Sequence, residues 1–129
     1  MVADLFHYGH MKFLKRCKNI HENVFLIVGL HSDEVCVDYK RKPIMSLDER
    51  AIAIETFGVA DQVIRGAPIN PSKEFLVSKK VDLVIHAHPE EEEEKYRKLF
   101  QSAIELGIYK RIDYTPGIST TELINRIRK

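Results

Sequence analysis

Two histidines, His7 and His10, stand three residues apart with Gly9 between them, just as a helical pattern begins. That grouping suits the handling of phosphate. Gly9 removes a side chain where a phosphate must approach the backbone, and a helix start offers unpaired N–H donors at the positive end of its dipole. Further along, Lys40, Arg41 and Lys42 form a basic cluster beside Pro43. Ser119, Thr120 and Thr121 supply hydroxyls and N–H groups where a last helix starts. Each group fits a polyphosphate. Each also has a plainer explanation: HxGH is short enough to arise by chance, Lys40 could be one more solvated lysine, and Ser119 already serves as a helix cap. His86 could equally be a satisfied histidine at a strand end.

The elements that would position these residues follow from periodicity. Met11, Phe13, Leu14 and Cys17 give one apolar face to a helix over residues 9–18. Val24 to Gly29 is a short apolar run rich in β-branched residues, as a buried parallel strand requires. Ser46 and Glu49 form a capping box, and the helix behind it runs to about Phe57 with Ile52 and Ile54 turned inward. Residues 61–64 read as a strand, 72–79 as a short helix behind Pro71, and 81–85 as a second buried strand. Tyr96, Leu99, Phe100, Ala103 and Ile104 predict a single long helix from Glu90 to Leu106, stopped at Gly107. Glu90 to Glu94 read as its solvated start, complementing the dipole. Residues 111–114 are the last strand. Ser119 and Glu122 are a second capping box, opening a helix with Leu123, Ile124 and Ile127.

Strands alternating with helices define an α/β fold with a mainly parallel sheet flanked by helices. In such sheets, sites gather at the C-terminal strand ends. His7, His10, the loop after Gly29, the residues after Ile85 and the turn before Ser119 are expected to converge there. His88 and His31 read as polar loop residues. A strand should precede the histidines, yet few residues stand ahead of them, so the first strand is short or missing, or the chain is a truncated form of a longer one.

Composition narrows the class. The chain has 129 residues, 44% hydrophobic and 30% charged, with a formal net charge of +1, which fits one globular domain over residues 1–129. A balanced charge argues against nucleic acid as a partner. No apolar run approaches the roughly 20 residues of a membrane span, and no signal peptide opens the chain, so a cytoplasmic location is the default expectation. Cys17 and Cys36 lack metal-ligand spacing and read as reduced thiols, and no protein-held metal site is expected.

Asp4-Leu5-Phe6-His7-Tyr8-Gly9-His10 resembles the signature of cytidylyltransferases that activate phospholipid head groups. The likeness continues through Leu26 to Glu34, Tyr39-Lys40, Pro43-Ile44-Met45 with Glu49-Arg50, and Gly117-Ile118-Ser119-Thr120-Thr121. It covers nearly the whole chain, is most similar to ethanolamine-phosphate cytidylyltransferases, and extends to choline-phosphate cytidylyltransferases. Gly66-Ala67-Pro68, residues 81–84 with His86, and Gly107-Ile108-Tyr109 with Ile112-Asp113 resemble the second domain of the ethanolamine enzymes.

The resemblance implies a Rossmann-like nucleotidyltransferase fold, a homodimer, and transfer of CMP from CTP to a small phosphoalcohol, with Mg²⁺ assisting and pyrophosphate released. It assigns His7, His10 and Lys40 to catalysis. Asp4, Gly9, Gly117, Ile118, Ser119, Thr120 and His86 would bind the nucleotide. Arg50 would be structural or phosphate-adjacent.

Three positions depart from the family pattern. Met1 stands where a strand glycine belongs, Tyr114 replaces an arginine, and Ile69 replaces the aromatic residue after Ala67-Pro68. Without that ring, and with no Trp in the chain, a cation–π cage for a quaternary ammonium loses support. Ethanolamine phosphate is therefore favoured over choline phosphate, with glycerol 3-phosphate still open. A nucleotide-binding domain without turnover, and use of ATP in place of CTP, also stay open.

Overall fold

A computed structural model describes residues 1–39 and 41–129. In chain order its elements are α1 (Tyr8–Lys18), β1 (Ile27–Leu30), α2 (Asp33–Tyr39), α3 (Leu47–Phe57), β2 (Gln62–Arg65), α4 (Lys73–Ser78) and β3 (Val84–Ala87). A 3₁₀ turn (Glu90–Glu92), α5 (Glu93–Arg97), α6 (Gln101–Glu105), β4 (Tyr109–Ile112) and α7 (Thr120–Ile127) complete it. The chain divides into two compact units, one of residues 1–67 with 115–129 and one of residues 68–114. Among the described residues no helix is long and apolar enough to cross a membrane.

In the first unit β1 and β2 pair in parallel, with Ile27 opposite Gln62 and Leu30 opposite Arg65. Val28 and Leu30 turn into a core completed by Leu14 of α1, Ala51 and Ile54 of α3, and Ala3. Phe6, Phe13, Phe57 and Val63 pack around it. Along β1, Leu26 and Leu30 offer their carbonyls toward β2. On the alternate residues, the Met1 amino group donates to the Gly29 carbonyl at 2.6 Å and the His31 N–H donates to the Met1 carbonyl at 3.0 Å. Those are the two bonds of a parallel neighbour.

Helix α3 begins as expected: Ser46 accepts from the Glu49 N–H at 3.2 Å, and Glu49 accepts from the Ser46 N–H at 2.8 Å. It ends at Gly58, whose φ of 83° is the left-handed conformation of a helix stop. Ile52 does not turn inward as the pattern predicted; it is 55% exposed. The buried face runs through Arg50, Ala51 and Ile54, and Ile52 lies two residues, about 200°, away from Ile54. In α7, Ser119 caps by accepting from the Glu122 N–H at 3.0 Å, but the Glu122 carboxylate takes the Arg126 guanidinium at 3.3 Å. Ile127 is 76% exposed.

In the second unit β3 and β4 are parallel, with Val84 opposite Tyr109 and Ala87 opposite Ile112. The long helix predicted from Glu90 to Leu106 is broken. Leu99 and Phe100 bond back only three residues, to Tyr96 and Arg97, and Phe100 leaves helical geometry at φ −129°. The apolar stripe itself survives: Ala103 is buried and Tyr96, Leu99, Phe100 and Ile104 are half-buried. The break lets Phe100 stack on Tyr109, ring centroids 5.3 Å apart. Periodicity reports the buried face; it does not report an interruption that keeps the face intact.

Helix α2 has no counterpart among the predicted elements. Its signal lay in Ser32, whose Oγ accepts from the Val35 N–H at 3.3 Å, followed by Asp33 and Glu34 in the first turn. Cys17 and Cys36 are buried free thiols. Burial pushes the Cys17 thiol up to about 11.

Candidate functional site

The start of α1 is made by the two histidines themselves. His7 is the N-cap residue, and its Nδ1 accepts from the Gly9 N–H at 3.1 Å. The His7 N–H in turn donates to Nδ1 of His10 at 3.1 Å, completing a reciprocal capping box in which imidazoles replace the usual hydroxyl and carboxylate. The rings stack, with centroids 3.8 Å apart. A nitrogen that accepts carries no proton, so each neutral ring holds its proton on Nε2 and is a donor there. Burial keeps the His7 imidazole below its ordinary value, favouring the neutral form that the cap requires. Two neutral N–H donors at a positive helix end are suited to anionic oxygens, close enough together to address one phosphate or two adjacent ones.

Gly9 leaves no room for a side chain at this start unless its neighbours shift. A Cβ there would stand 2.9 Å from Cε1 of His7 and 3.1 Å from Cγ2 of Ile118. Ile118 is 5% exposed, so residues 117–121 lie directly against the histidine turn. Gly117 has φ 83°, which turns the chain into the cap of α7. The Thr120 hydroxyl donates to the Asp4 carbonyl at 2.8 Å, and the Arg41 guanidinium donates to the Thr121 hydroxyl at 3.0 Å. Within the first unit, then, His7, Gly9 and His10 stand against Ile118, and Asp4 against Thr120, with Gly117 and Ser119 in the same turn.

Asp4 is 3% exposed, and its two oxygens accept from the N–H groups of Ile44 and Met45 at 2.8 and 2.9 Å. Its visible work is to fasten Ile44 and Met45 to the segment that leads into the histidine turn. Ala3 and Leu5, on either side, hold positive φ of 57° and 55°. That conformation costs a non-glycine residue about 1–2 kcal/mol, and the three bonds made by Asp4 hold it in place. Of the two roles open to Arg50, the structure selects the structural one. It is fully buried, bonded to the carbonyls of Met45, Val2 and His31 and to the Asp33 carboxylate at 2.6 Å. It ties α3 to the loop after β1. The Arg41–Thr121 bridge was not anticipated; its only sequence signal was the basic cluster. Lys40 lies outside the described residues.

His86 belongs to the second unit, on β3, and is described within it. Its Nδ1 lies 2.7 Å from Nδ1 of His88, and its ring packs on Tyr96 and Phe100 with centroids 4.7 and 5.2 Å away. His88 lies just beyond β3, in the loop expected for it, but it is buried rather than solvated. It is 2% exposed, and its Nε2 bonds the Glu93 carboxylate at 2.8 Å. Tyr109 donates its hydroxyl to the same oxygen at 2.8 Å. Burial resists ionisation of Glu93, but the bonds from Tyr109 and His88 outweigh it and hold the carboxyl below its ordinary range. Burial, and then the bond to Glu93, push the Tyr109 phenol up. One of the five glutamates read as solvated is thus an anchor inside the unit. His31 is likewise engaged, its Nδ1 lying 3.1 Å from the Ala67 carbonyl.

A bound Mg²⁺ takes oxygen ligands in near-octahedral geometry. Among the described residues no group of three His, Cys, Asp or Glu side chains converges, and Asp4 has both oxygens committed to backbone N–H groups. These side chains do not form a cage for a resident magnesium ion.

Parallel strands with helices between them, and a helix start carrying two donor imidazoles, define an α/β fold of the nucleotidyltransferase kind. The chain belongs to the cytidylyltransferase-like family, whose family model matches residues 2–126. It is 34% identical over 126 residues to choline-phosphate cytidylyltransferase A of Rattus norvegicus, covering 98% of this chain and 34% of that protein. It is 35% identical over 132 residues to ethanolamine-phosphate cytidylyltransferase of Dictyostelium discoideum, covering 96% and 35%. The chain therefore spans about a third of the length of the curated relatives it matches. Among solved structures, a lipopolysaccharide core biosynthesis protein from Thermoplasma volcanium GSS1 superposes with a TM-score of 0.69 at 24% identity, covering 89% of this chain and 93% of that one. That likeness concerns the fold.

Proposed function

We propose that this chain is the catalytic domain of a CTP-dependent cytidylyltransferase that moves CMP onto a small phosphoalcohol, ethanolamine phosphate first, and releases pyrophosphate. The observation that carries the reading is the imidazole capping box at the start of α1, with residues 117–121 folded against it. In the reaction a phosphate oxygen of the acceptor attacks the α-phosphorus of CTP in line. A new P–O–P linkage forms as the bond to the bridging oxygen breaks, and pyrophosphate carries that bond's electrons away. The attacking phosphate is already anionic, so positioning and charge stabilisation supply the catalysis.

His7 and His10 would donate their Nε2 protons to triphosphate oxygens as charge develops. Gly9 leaves the approach open, and Ser119 and Thr120 stand at the start of α7, where backbone N–H groups suit a phosphate. Asp4 acts by fastening the loop that leads to Lys40, which would neutralise charge on the reacting phosphates. His86 would contact substrate, and magnesium would arrive on the nucleotide's own phosphate oxygens. The ethanolamine preference rests on Ile69, which denies a methylated ammonium the aromatic face it needs. Residence in the cytoplasm and assembly as a homodimer complete the proposal.

The test is a panel of CTP or ATP with ethanolamine, choline or glycerol phosphate in the presence of Mg²⁺, scored for pyrophosphate. The expected result is release only with CTP and ethanolamine phosphate, reduced more than about tenfold by His10→Ala. Release with ATP alone, or CTP binding in calorimetry without any product, would overturn the reading.

A further inference from the structure

Arg41 reaches the start of α7 from a loop 80 residues away in the chain, donating to the Thr121 hydroxyl at 3.0 Å. That neutral oxygen is its one partner among the described residues, where no carboxylate pairs with it. Most N–H groups of the guanidinium fork are therefore uncommitted. The place is also wrong for a lone cation, because a helix start is the positive end of its dipole and favours anions. Ser119 takes the N–H groups of Glu122 and Leu123, whereas those of Thr120 and Thr121 have no acceptor among the described residues. The arrangement is anchored from behind. Two residues after Arg41, Pro43 is buried, and the next two N–H groups bond to Asp4, whose carbonyl accepts from the Thr120 hydroxyl. Loop and helix start are thus fastened to the same residue, which sets the reach of Arg41. Residues 114–118, leading into α7, hold no cation, and Tyr114 stands there in place of the family's arginine.

We infer that Arg41 is a nucleotide-binding residue: from the loop between α2 and α3 it supplies the guanidinium that the segment before α7 lacks, and it holds the triphosphate together with the N–H groups of Thr120 and Thr121. It adds to the site already described, since this helix start lies against the histidine turn through Ile118 and Gly9. The planar fork matches two phosphate oxygens at once, and an anion between fork and helix start turns their mutual repulsion into attraction to both. Thr121 is a positioning residue, keeping the fork beside the helix start before the nucleotide binds. The identity of the ligand rests on the proposed transferase reading; the bridge and its surplus of donors do not.

Calorimetry on the full chain reads the contact without turnover, using CTP and, as a probe that carries the anion without the base, inorganic tripolyphosphate. Arg41→Ala is expected to weaken both about tenfold to a hundredfold. Its urea unfolding midpoint should not move, because the side chain is exposed. Arg41→Lys keeps the charge without the fork and should recover only part of the loss. In the pyrophosphate assay Arg41→Ala should raise KM for CTP and leave KM for the phosphoalcohol unaltered. Thr121→Val should weaken CTP binding in the unaltered chain and add nothing beside Arg41→Ala; a further loss there would refute its action through Arg41. Both ligands bound by Arg41→Ala as tightly as by the unaltered chain would overturn the inference, and so would a raised KM for the phosphoalcohol alone. A lowered unfolding midpoint with binding intact would make the bridge a mere strut and overturn it too. Arg41-dependent binding of both ligands by a chain that releases no pyrophosphate would uphold Arg41 and refute the transferase reading instead.

Discussion

Gly9→Ala separates the stability of the histidine turn from its chemistry. Alanine in place of glycine inside a helix ordinarily gains about 0.5–1 kcal/mol. Here the new methyl would sit 2.9 Å from Cε1 and 3.0 Å from Nδ1 of His7, with Ile118 at 3.1 Å on its other side. Ordinary carbon contacts lie near 3.5–4.0 Å, so the His7 ring must give way by roughly 0.6–1 Å. In doing so it shifts against His10, whose ring is stacked on it at 3.8 Å. Moving the ring breaks the bond from the Gly9 N–H, worth about 0.5–1.5 kcal/mol. The two terms nearly cancel, so urea unfolding should change by less than about 1 kcal/mol. Rate should not be so forgiving, since a 1 Å misplacement of a positioned group costs on the order of 10²-fold. Pyrophosphate release by Gly9→Ala, measured beside its unfolding curve, decides the matter. A folded variant turning over at the wild-type rate would show that the position of His7 is immaterial to the reaction.

Further outcomes follow from the same contacts. Asp4→Asn turns an amide NH₂ toward one of the two N–H groups of Ile44 and Met45; the lost acceptor should cost about 1–3 kcal/mol in urea unfolding. Arg50→Lys cannot reproduce the planar fork that serves three carbonyls and Asp33, and should cost about 2–3 kcal/mol or more in the same measurement. Ser46→Ala removes one half of the α3 cap, costing about 1 kcal/mol of stability while leaving KM for CTP unaltered. His7 is held below its ordinary value of 6.5. The unfolded chain therefore binds the extra proton first, and the His7 contribution makes stability fall as pH drops below that value. In an NMR titration His7 should protonate below its ordinary value of 6.5; protonation at or above that value would refute the assignment.

What the sequence disclosed depended on the range of the signal. Ser46 and Glu49 announce α3 within four residues, and the Val24–Gly29 run announces a buried strand, because propensity and capping are local. The juxtaposition of Gly9 with Ile118 was legible through the sheet rule and the resemblance, since both segments precede or open helices at one end of the strands. Arg50 was ambiguous because its partners, Val2, Asp33 and His31, are scattered along the chain and none is defined by spacing. The burial of His88 was hidden for the same reason. A histidine beside Pro89 reads correctly as a loop residue, but spacing does not show that Glu93 meets it inside the unit. Ile52 was misplaced because a polar residue, Arg50, occupies the buried face, which hydrophobic periodicity is blind to.

The imidazole capping box has one consequence for how the protein tolerates change. In most enzymes the residues that do chemistry are passengers on a scaffold, and losing them leaves the scaffold intact. Here the first turn of α1 and the two imidazoles are one object: each Nδ1 is simultaneously a fastening of the backbone and the reason its neutral ring carries its proton on Nε2. A substitution that spares the helix by supplying another acceptor, such as His7→Asp, surrenders the donor, and an acid environment that protonates either Nδ1 undoes the turn. The integrity of the helix start thus reports the readiness of the site, so the backbone amides of Gly9 and His10 serve as a built-in gauge of whether the protein is in its working state.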